Sequence, residues 1–369
     1  MPPTGVDPVE MKDAPTIWID RWFASTAVRF VDLVRSEFPR SKLIYSHPDP
    51  GEDAIRAADL WVSTAGDNSV DSILAFAVEQ KVDVVLTVRN LPEVLRARSR
   101  FEDAGVALAV PAPGIAVLEA MREKDQTYRL CDAFGLAPTP SWTTADSPEA
   151  LLAAVDRWAD GNALCCIKPT VGEGARGFRV IDPAWDSGAA LFDWPSDRMT
   201  ALELANLLFR SGRRFPRTLV SDFLPGEETS VDVASDRGEV IVSVVRRKKT
   251  SSVQVVDVDL DISAAVSRLS RHWRLHGCWN AQFRADGLGQ QRLLEVNCRP
   301  AAGSVYTADL GVNFPALAVK LALGCPTPIL ATPVSGLLRR RETVVLECEG
   351  SGRTHPSNAE PSGVGTAIG

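Results

Sequence analysis

Lys168 ends the apolar run of CCIKPTVGEGARGFRV (residues 165–180), and Gly172, Glu173, Gly174, Ala175, Arg176 and Gly177 follow it closely. A lysine leaving a strand directs a compact positive charge at a phosphate, and a glycine loop lets backbone N–H groups and Arg176 close over an anion. The order differs from that of the helix-capping phosphate loop, because the lysine precedes the glycines and no helix follows. The competing reading is a surface hairpin with a snorkelling lysine. Further on, WNAQFRADGLGQQRLLEVNCRP (279–300) places Gln282 on one strand and Glu295 and Asn297 two residues apart on the next. Strand alternation turns Glu295 and Asn297 to one face, where a carboxylate and an amide oxygen form a hard oxygen site suited to Mg²⁺ and phosphate. Arg299 continues that face and can hold a phosphate or carboxylate in a two-pronged contact. The alternative is a solvent-facing edge strand, but charges spaced by two among Leu293, Leu294 and Val296 are costly to bury unless they bind something.

Two further groups carry weaker signals. In VVRRKKTSS (244–252), Arg246 and Lys248 share a face if the strand continues and could grip a substrate carboxylate; a solvated loop is equally consistent. His272 and His276 are four residues apart on a helix with no acidic ligand beside them, which reads as a surface face rather than a metal site. Cys298 should point away from Asn297, so a nucleophilic role is not expected.

These residues need a scaffold. From 15 to 113, short apolar runs (16–20, 42–46, 59–63, 82–88, 106–110) alternate with amphipathic stretches (25–38, 68–80, 91–105), the pattern of a parallel sheet with right-handed crossovers. The region has no dinucleotide-binding glycine fingerprint. A helix is expected around 115–134, then a proline-containing connector (136–142) and a helix over 147–160 capped by Ser147. The glycine loop lies between two strands, and a helix over 199–212 follows. Strands at 218–223, 230–235 and 239–245 read as antiparallel, the last two joined by an Asp236-Arg237-Gly238 turn. A helix over 264–277 should end in glycine. From about 333 the chain turns polar and small, which reads as a largely disordered tail to 369, with 342–348 able to add an edge strand.

The chain has 369 residues, 45% hydrophobic and 24% charged, with a formal net charge of −7. Such a balance suits a folded protein and disfavours general nucleic-acid binding, so any anion needs a local basic site. No apolar run approaches a membrane span and the N-terminus lacks a signal-peptide core, so cytoplasm is the expected location. The seven cysteines lie mostly in apolar segments, as small buried hydrophobes.

Lysine, glycine loop and an E-x-N-x-R strand, in this order, resemble the ATP-grasp superfamily, particularly the branch related to the carbamoyl-phosphate synthetase large subunit. The resemblance covers about residues 15–327. It implies an α/β and α+β architecture: a pre-ATP-grasp α/β domain (15–113), a linker helix and small lid (114–217), and a metal-binding subdomain (218–332). It makes Lys124 and Lys168 the nucleotide-phosphate lysines, and Gly172, Glu173, Gly174 and Gly177, with Arg176, the mobile loop over the β and γ phosphates. Asp222, Phe223 and Leu224 would flank adenine and Glu228 would bind the ribose. Gln282, Glu295 and Asn297 would hold Mg²⁺, with Mn²⁺ as a substitute, and Arg299 would stabilise the transferring phosphate. The pattern departs from the family in Ser221-Asp222 at the hinge, in Gln282 where most relatives have an acid, and in Asn297-Cys298-Arg299 for asparagine-proline-arginine. The implied activity is an ADP-forming ligase that joins a small carboxylate to an amine, with homodimers common among similar proteins. The alternatives are a non-catalytic ATP-binding subunit and a scaffold using its basic 246–249 loop.

Overall fold

The computed structural model describes residues 14–49, 52–64, 69–88, 90–159, 164–172, 175–186, 188, 197–211, 214–250, 253–333 and 335–339. Strands β1 (Thr16–Asp20), β2 (Lys42–His47), β3 (Leu60–Ser63), β4 (Val84–Thr87) and β5 (Ala107–Leu108) form a parallel sheet in the order β3-β2-β1-β4-β5. Helices α1 (Ala27–Glu37), α2 (Glu52–Ala57), α3 (Val70–Glu79), α4 (Leu91–Arg96) and α5 (Arg98–Asp103) make its connections. The helix expected over 91–105 is broken at Ala97 (φ −94°, ψ 11°). The strand order reverses between β1 and β4, and the loops leaving those two strands open a crevice at their carboxyl ends.

The single helix expected around 115–134 is two, α6 (Ile115–Arg122) and α7 (Lys124–Phe134), separated at Glu123, whose ψ of 106° is extended. The break matters because it sets Lys124 at the start of α7, where its amide donates to the Thr170 carbonyl at 3.0 Å. Tyr128 then lies one helical turn on, on the same face as Lys124.

The second sheet, in the order β6-β10-β7-β8-β9, contains β6 (Trp142–Ala145), β7 (Cys165–Pro169), β8 (Arg179–Ile181), β9 (Arg198–Met199) and β10 (Thr218–Asp222). Its helices are α8 (Pro148–Ala159) and α9 (Ala201–Arg210), the latter opened by a full capping box between Thr200 and Glu203. Thr218–Asp222 pairs here with β6 and β7, so the second sheet extends past the expected boundary near residue 217. β6 begins at Trp142, the last residue of the expected connector, and continues through two threonines that pair along β10.

The third sheet is formed by β11 (Glu228–Asp236), β12 (Glu239–Lys248), β13 (Val253–Asp257), β14 (Gly277–Ala285), β15 (Gln291–Asn297) and β16 (Gly336–Arg339), in the order β15-β14-β11-β12-β13-β16. Helices α10 (Leu260–Trp273) and α11 (Phe314–Ala322) pack on it. α10 ends at Arg274, in the left-handed region at φ 50°, rather than at Gly277. The edge strand from the polar C-terminal stretch is β16, paired to β13; the expected one at 342–348 lies outside the described residues.

Apolar side chains of the first and third sheets pack into shared cores: Trp18, Ile44 and Val85 cluster with Val231, Trp279 and Leu293, and Phe30 and Tyr45 with Val244 and Phe314. The second sheet has a smaller core of its own, including Ala145, Leu151, Ile167, Leu204 and Val220. No described helix is long and apolar enough to cross a membrane.

Candidate active site

A cavity of about 530 Å³ lies between the second and third sheets. Lys168, on β7, reaches it from the second sheet, with Gly172, Ala175 and Arg176 of the glycine loop at its rim. Glu173 and Gly174 lie outside the described residues. The loop closes back at Gly177, where φ is +75° and a β-carbon would meet Pro169 Cδ at 2.9 Å, so only glycine fits.

The third sheet supplies the opposite wall. Gln282 on β14 faces Glu295 on β15, and Asn280 faces Asn297, through the antiparallel register. Strict alternation would set Leu293 on the same face as Glu295. The pairing slips by one residue between Gln282 and Phe283, leaving Leu294 as the extra residue of a β-bulge. The bulge sends Leu293 into the core while Leu294, Glu295 and Asn297 line the cavity, and Val296 and Cys298 return to buried positions. Asn297 Nδ2 donates to Glu295 Oε1 at 3.1 Å, and Lys124 Nζ stands 3.4 Å from Glu295 Oε2. Among the described residues no cluster of three His, Cys, Asp or Glu exists. The donors gathered here are one carboxylate and amide oxygens, which fit Mg²⁺ completed by phosphate oxygens and water.

Tyr128 ties the two walls together. Fully buried, it donates from Oη to the Leu294 carbonyl at 3.0 Å and accepts from Lys168 Nζ at 3.3 Å. The freed carbonyl of the bulge is thus satisfied by the residue that holds Lys168. Lys168 is partly buried, and desolvation, with Lys124 nearby, lowers its ammonium pKa to about 8, although Glu295 pulls the other way. Lys124 is held by the Gly172 carbonyl at 2.9 Å as well as by Glu295.

At the far end, Asp222, Phe223, Leu224 and Glu228 line the same cavity. The Asp222 carboxylate accepts from Trp158 Nε1 at 2.9 Å and the Ser141 amide at 3.0 Å, and its own amide donates to the Ser141 carbonyl. The Phe223 amide is engaged by Leu164. The Asp222 side chain braces the end of β10, and the Asp222 and Phe223 amides are both already engaged within the protein. Arg299 packs its guanidinium 4.7 Å from the Phe23 ring, in the loop after β1.

A second cavity of about 380 Å³ adjoins the first, sharing Lys124, Arg176, Glu295, Asn297 and Arg299 with it. It extends to Asn90 and Glu93, beyond β4 at the strand-order reversal, and to Arg122, which makes no ion pair with any described residue. The expected clamp of Arg246 and Lys248 is not in either cavity. Arg246 is 3% exposed and donates to Asp232 at 2.7 Å, Gln254 at 2.5 Å and Ser230 at 3.2 Å. The chain at Gly303 seals it further, a β-carbon there coming within 2.7 Å of Nη1. A buried arginine committed to a carboxylate cannot bind substrate, and Lys248 is exposed at the end of β12.

Sequence reasoning did not single out Asn280, Arg122, Asn90 or Tyr128. Tyr128 had a legible signal, four residues after Lys124 on one helix. Asn280 is fully buried, gives Nδ2 to Ser230, Val231 and Asp232, and leaves Oδ1 without a partner beside Asn297. Burial pushes the Cys298 and Cys166 thiols up to about 12, which removes both as nucleophiles at neutral pH. His272 packs at a tilt against Phe134, while His276 lies between Asp236 and the Leu321 carbonyl, so the two do not share a ligand site.

Residues 214–343 match the family model described as "ATP-grasp in the biosynthetic pathway with Ter operon". No curated protein matches the chain. Among solved structures, N5-carboxyaminoimidazole synthetase from Staphylococcus aureus in complex with ADP is similar at a TM-score of 0.63 and 13% identity, over 89% of this chain and 81% of that one. N5-carboxyaminoimidazole ribonucleotide synthetase from Thermus thermophilus gives 0.60 and 18%, over 87% and 82%. The biotin carboxylase domain of Hydrogenobacter thermophilus 2-oxoglutarate carboxylase, with MgADP, ADP and bicarbonate, gives 0.61 and 16%, over 84% and 70%. The chain has the ATP-grasp fold.

Proposed function

We propose that this ATP-grasp chain is an ATP- and Mg²⁺-dependent ligase that activates a small carboxylate as an acyl phosphate for attack by an amine. The observation that carries the reading is the convergence, across one cavity, of Lys124 and Lys168 with the Gln282, Glu295 and Asn297 row. Lysines facing oxygen donors in one cavity suit a polyphosphate with its metal, and the segment Asp222–Leu224 at the far end would flank a base. Bound Mg²⁺ would neutralise the phosphate oxygens in contact with it.

The chain's own residues do the rest. Lys168, braced by Tyr128, would fix the α and β phosphates, and Arg176 would close over the γ phosphate with the loop. Arg299, held flat against Phe23, would face the transferring group from the mouth shared by the two cavities. The carboxylate enters through the second cavity, between Arg122 and Arg299, with Glu93 opposite to receive an amine. Its oxygen attacks the γ phosphorus as the bond to the ADP oxygen breaks; the amine then attacks the acyl carbon, phosphate leaves, and the nitrogen gives up a proton. Loop closure keeps water from the acyl phosphate, and catalysis is electrostatic and positional, with no side-chain nucleophile.

The test is ADP and phosphate release from Mg-ATP against pooled amino acids and small carboxylates, with Glu295→Gln as background. Substrate-dependent release above that background supports the ligase. Tight Mg-ATP binding with no release from any pool would favour a nucleotide-binding subunit instead.

A further inference from the structure

A third cavity, of about 700 Å³, shares no lining residue with the two at the candidate site. One wall is the apolar run from Ala107 to Pro113, which leaves β5, and the opposite wall is the start of β14 with α11. Its charged lining is Arg98, Arg237 and Arg274, with His276, against one acid, Glu102. The three arginines come from three separate elements: α5, the β11–β12 turn and the end of α10.

Their backbones are informative. Arg237 and Arg274 both adopt left-handed conformations, with φ of 47° and 50°, where glycine or asparagine is the undemanding choice. Local structure sets both conformations: Arg237 lies in the two-residue turn between β11 and β12, and Arg274 caps α10, where the Leu275 amide donates to the Ser270 carbonyl at 3.0 Å. Their side chains carry few partners. Among the described residues Arg274 makes no ion pair, and Arg237 reaches Asp236 at 3.8 Å. Arg98 is fixed differently, donating from Nη2 to the Val110 and Ala112 carbonyls at 3.2 and 3.0 Å, while its Nε is buried without a hydrogen-bond partner. The result is a net positive, apolar-walled cavity with donor capacity left over.

We propose that this cavity binds a small polyanion with an apolar portion, gripped by Arg98, Arg237 and Arg274. The anionic groups are phosphates or carboxylates, since both accept the guanidinium fork. The occupant lies in the seam between the first and third sheets, where the His276 amide donates to the Pro111 carbonyl at 2.9 Å. The next linker residue, Ala112, turns its amide to the Cys298 sulfur, between Asn297 and Arg299 of the site. Occupancy would therefore stiffen the strand that carries the oxygen donors.

Thermal melting of the full chain with pyrophosphate or citrate, without Mg²⁺, tests the proposal. The proteins compared are the wild type, Arg237→Gly/Arg274→Gly, and Lys124→Ala/Lys168→Ala, which disables the phosphate contacts of the main site. Glycine relieves the left-handed strain, so the arginine variant should fold; Arg237→Asn/Arg274→Asn provides a second version. At least one anion should raise the melting temperature of the wild type and the lysine variant alike. Its affinity should fall about tenfold for each arginine removed. Response to pyrophosphate alone identifies a phosphorylated ligand, and response to citrate alone a polycarboxylate. No shift with either anion, or an undiminished shift in the arginine variants whatever the lysine variant does, overturns the proposal. Neither result bears on the ligase reading, which the ADP-release assay decides separately.

Discussion

Raising the pH in the absence of nucleotide should disarm Lys168 well before an ordinary lysine would respond. Burial and Lys124 set its pKa near 8, against 10.5 for a free side chain. At pH 7 about nine-tenths of the molecules carry the ammonium, at pH 8 half, and at pH 9 roughly one in eleven. If only the charged form engages phosphate, the apparent Kd for Mg-ADP rises about twofold at pH 8 and about tenfold at pH 9. The nucleotide phosphates are fully ionised throughout, and the nearby Cys166 thiol titrates near 12, outside the window. Calorimetry with Mg-ADP from pH 7 to 9.5, in two buffers of different ionisation enthalpy, reads both the affinity and the proton taken up. Lys168→Met should bind weakly and lose the slope. Stability responds with the opposite sign: between about 8 and 10.5 the unfolded chain holds a proton that the folded apo protein has shed, so apo stability rises with pH across that range. A flat affinity profile in the wild type, or an unchanged slope in Lys168→Met, would refute the reasoning.

Other outcomes are expected. Tyr128→Phe leaves the Leu294 carbonyl and the Lys168 ammonium without their shared partner; it should cost about 1 kcal/mol of stability and weaken Mg-ADP binding several-fold, as melting and calorimetry would show. Glu295→Gln should cut turnover by about 100-fold or more with little change in melting temperature, and near-normal ADP release would exclude Glu295 from the metal set. Gly177→Ala should destabilise by roughly 1–3 kcal/mol, because the residue is left-handed and its new methyl meets Pro169. Arg122→Ala should raise the KM for the carboxylate with little effect on that for ATP, a split measurable once ADP release identifies the substrate.

The parallel sheet was legible because each buried strand is a short apolar run bounded by polar turns, and the row of Glu295 and Asn297 because charge on an apolar strand stands out. The bulge at Leu294 was not legible, since slippage is decided by tertiary partners: the Tyr128 hydroxyl takes the freed carbonyl, and the Leu293 amide bonds to the Pro138 carbonyl at 2.7 Å. The helix break at Glu123 escaped for a similar reason. Nothing in the local sequence forbids helix there, and what stabilises the new start is the Lys124 amide reaching the chain after β7. Arg246 shows the converse failure. A run of four cations looks exposed, yet strand pairing carries its first member inward to Asp232, a partner fourteen residues away.

The second sheet's own small core predicts that it unfolds as a separate cooperative unit. Its few buried side chains, with the bonds that Tyr128 and Lys124 make to it, hold the second sheet, while the larger shared cores secure the first and third. Denaturation of the apo protein should then proceed in two calorimetric steps, with amides of β7 and β8 exchanging with solvent before those of β11 and β14. If the proposed nucleotide spans the cavity, it should couple the units and merge the two steps into one. The free energy of ligand binding is thereby written into the order in which the molecule comes apart.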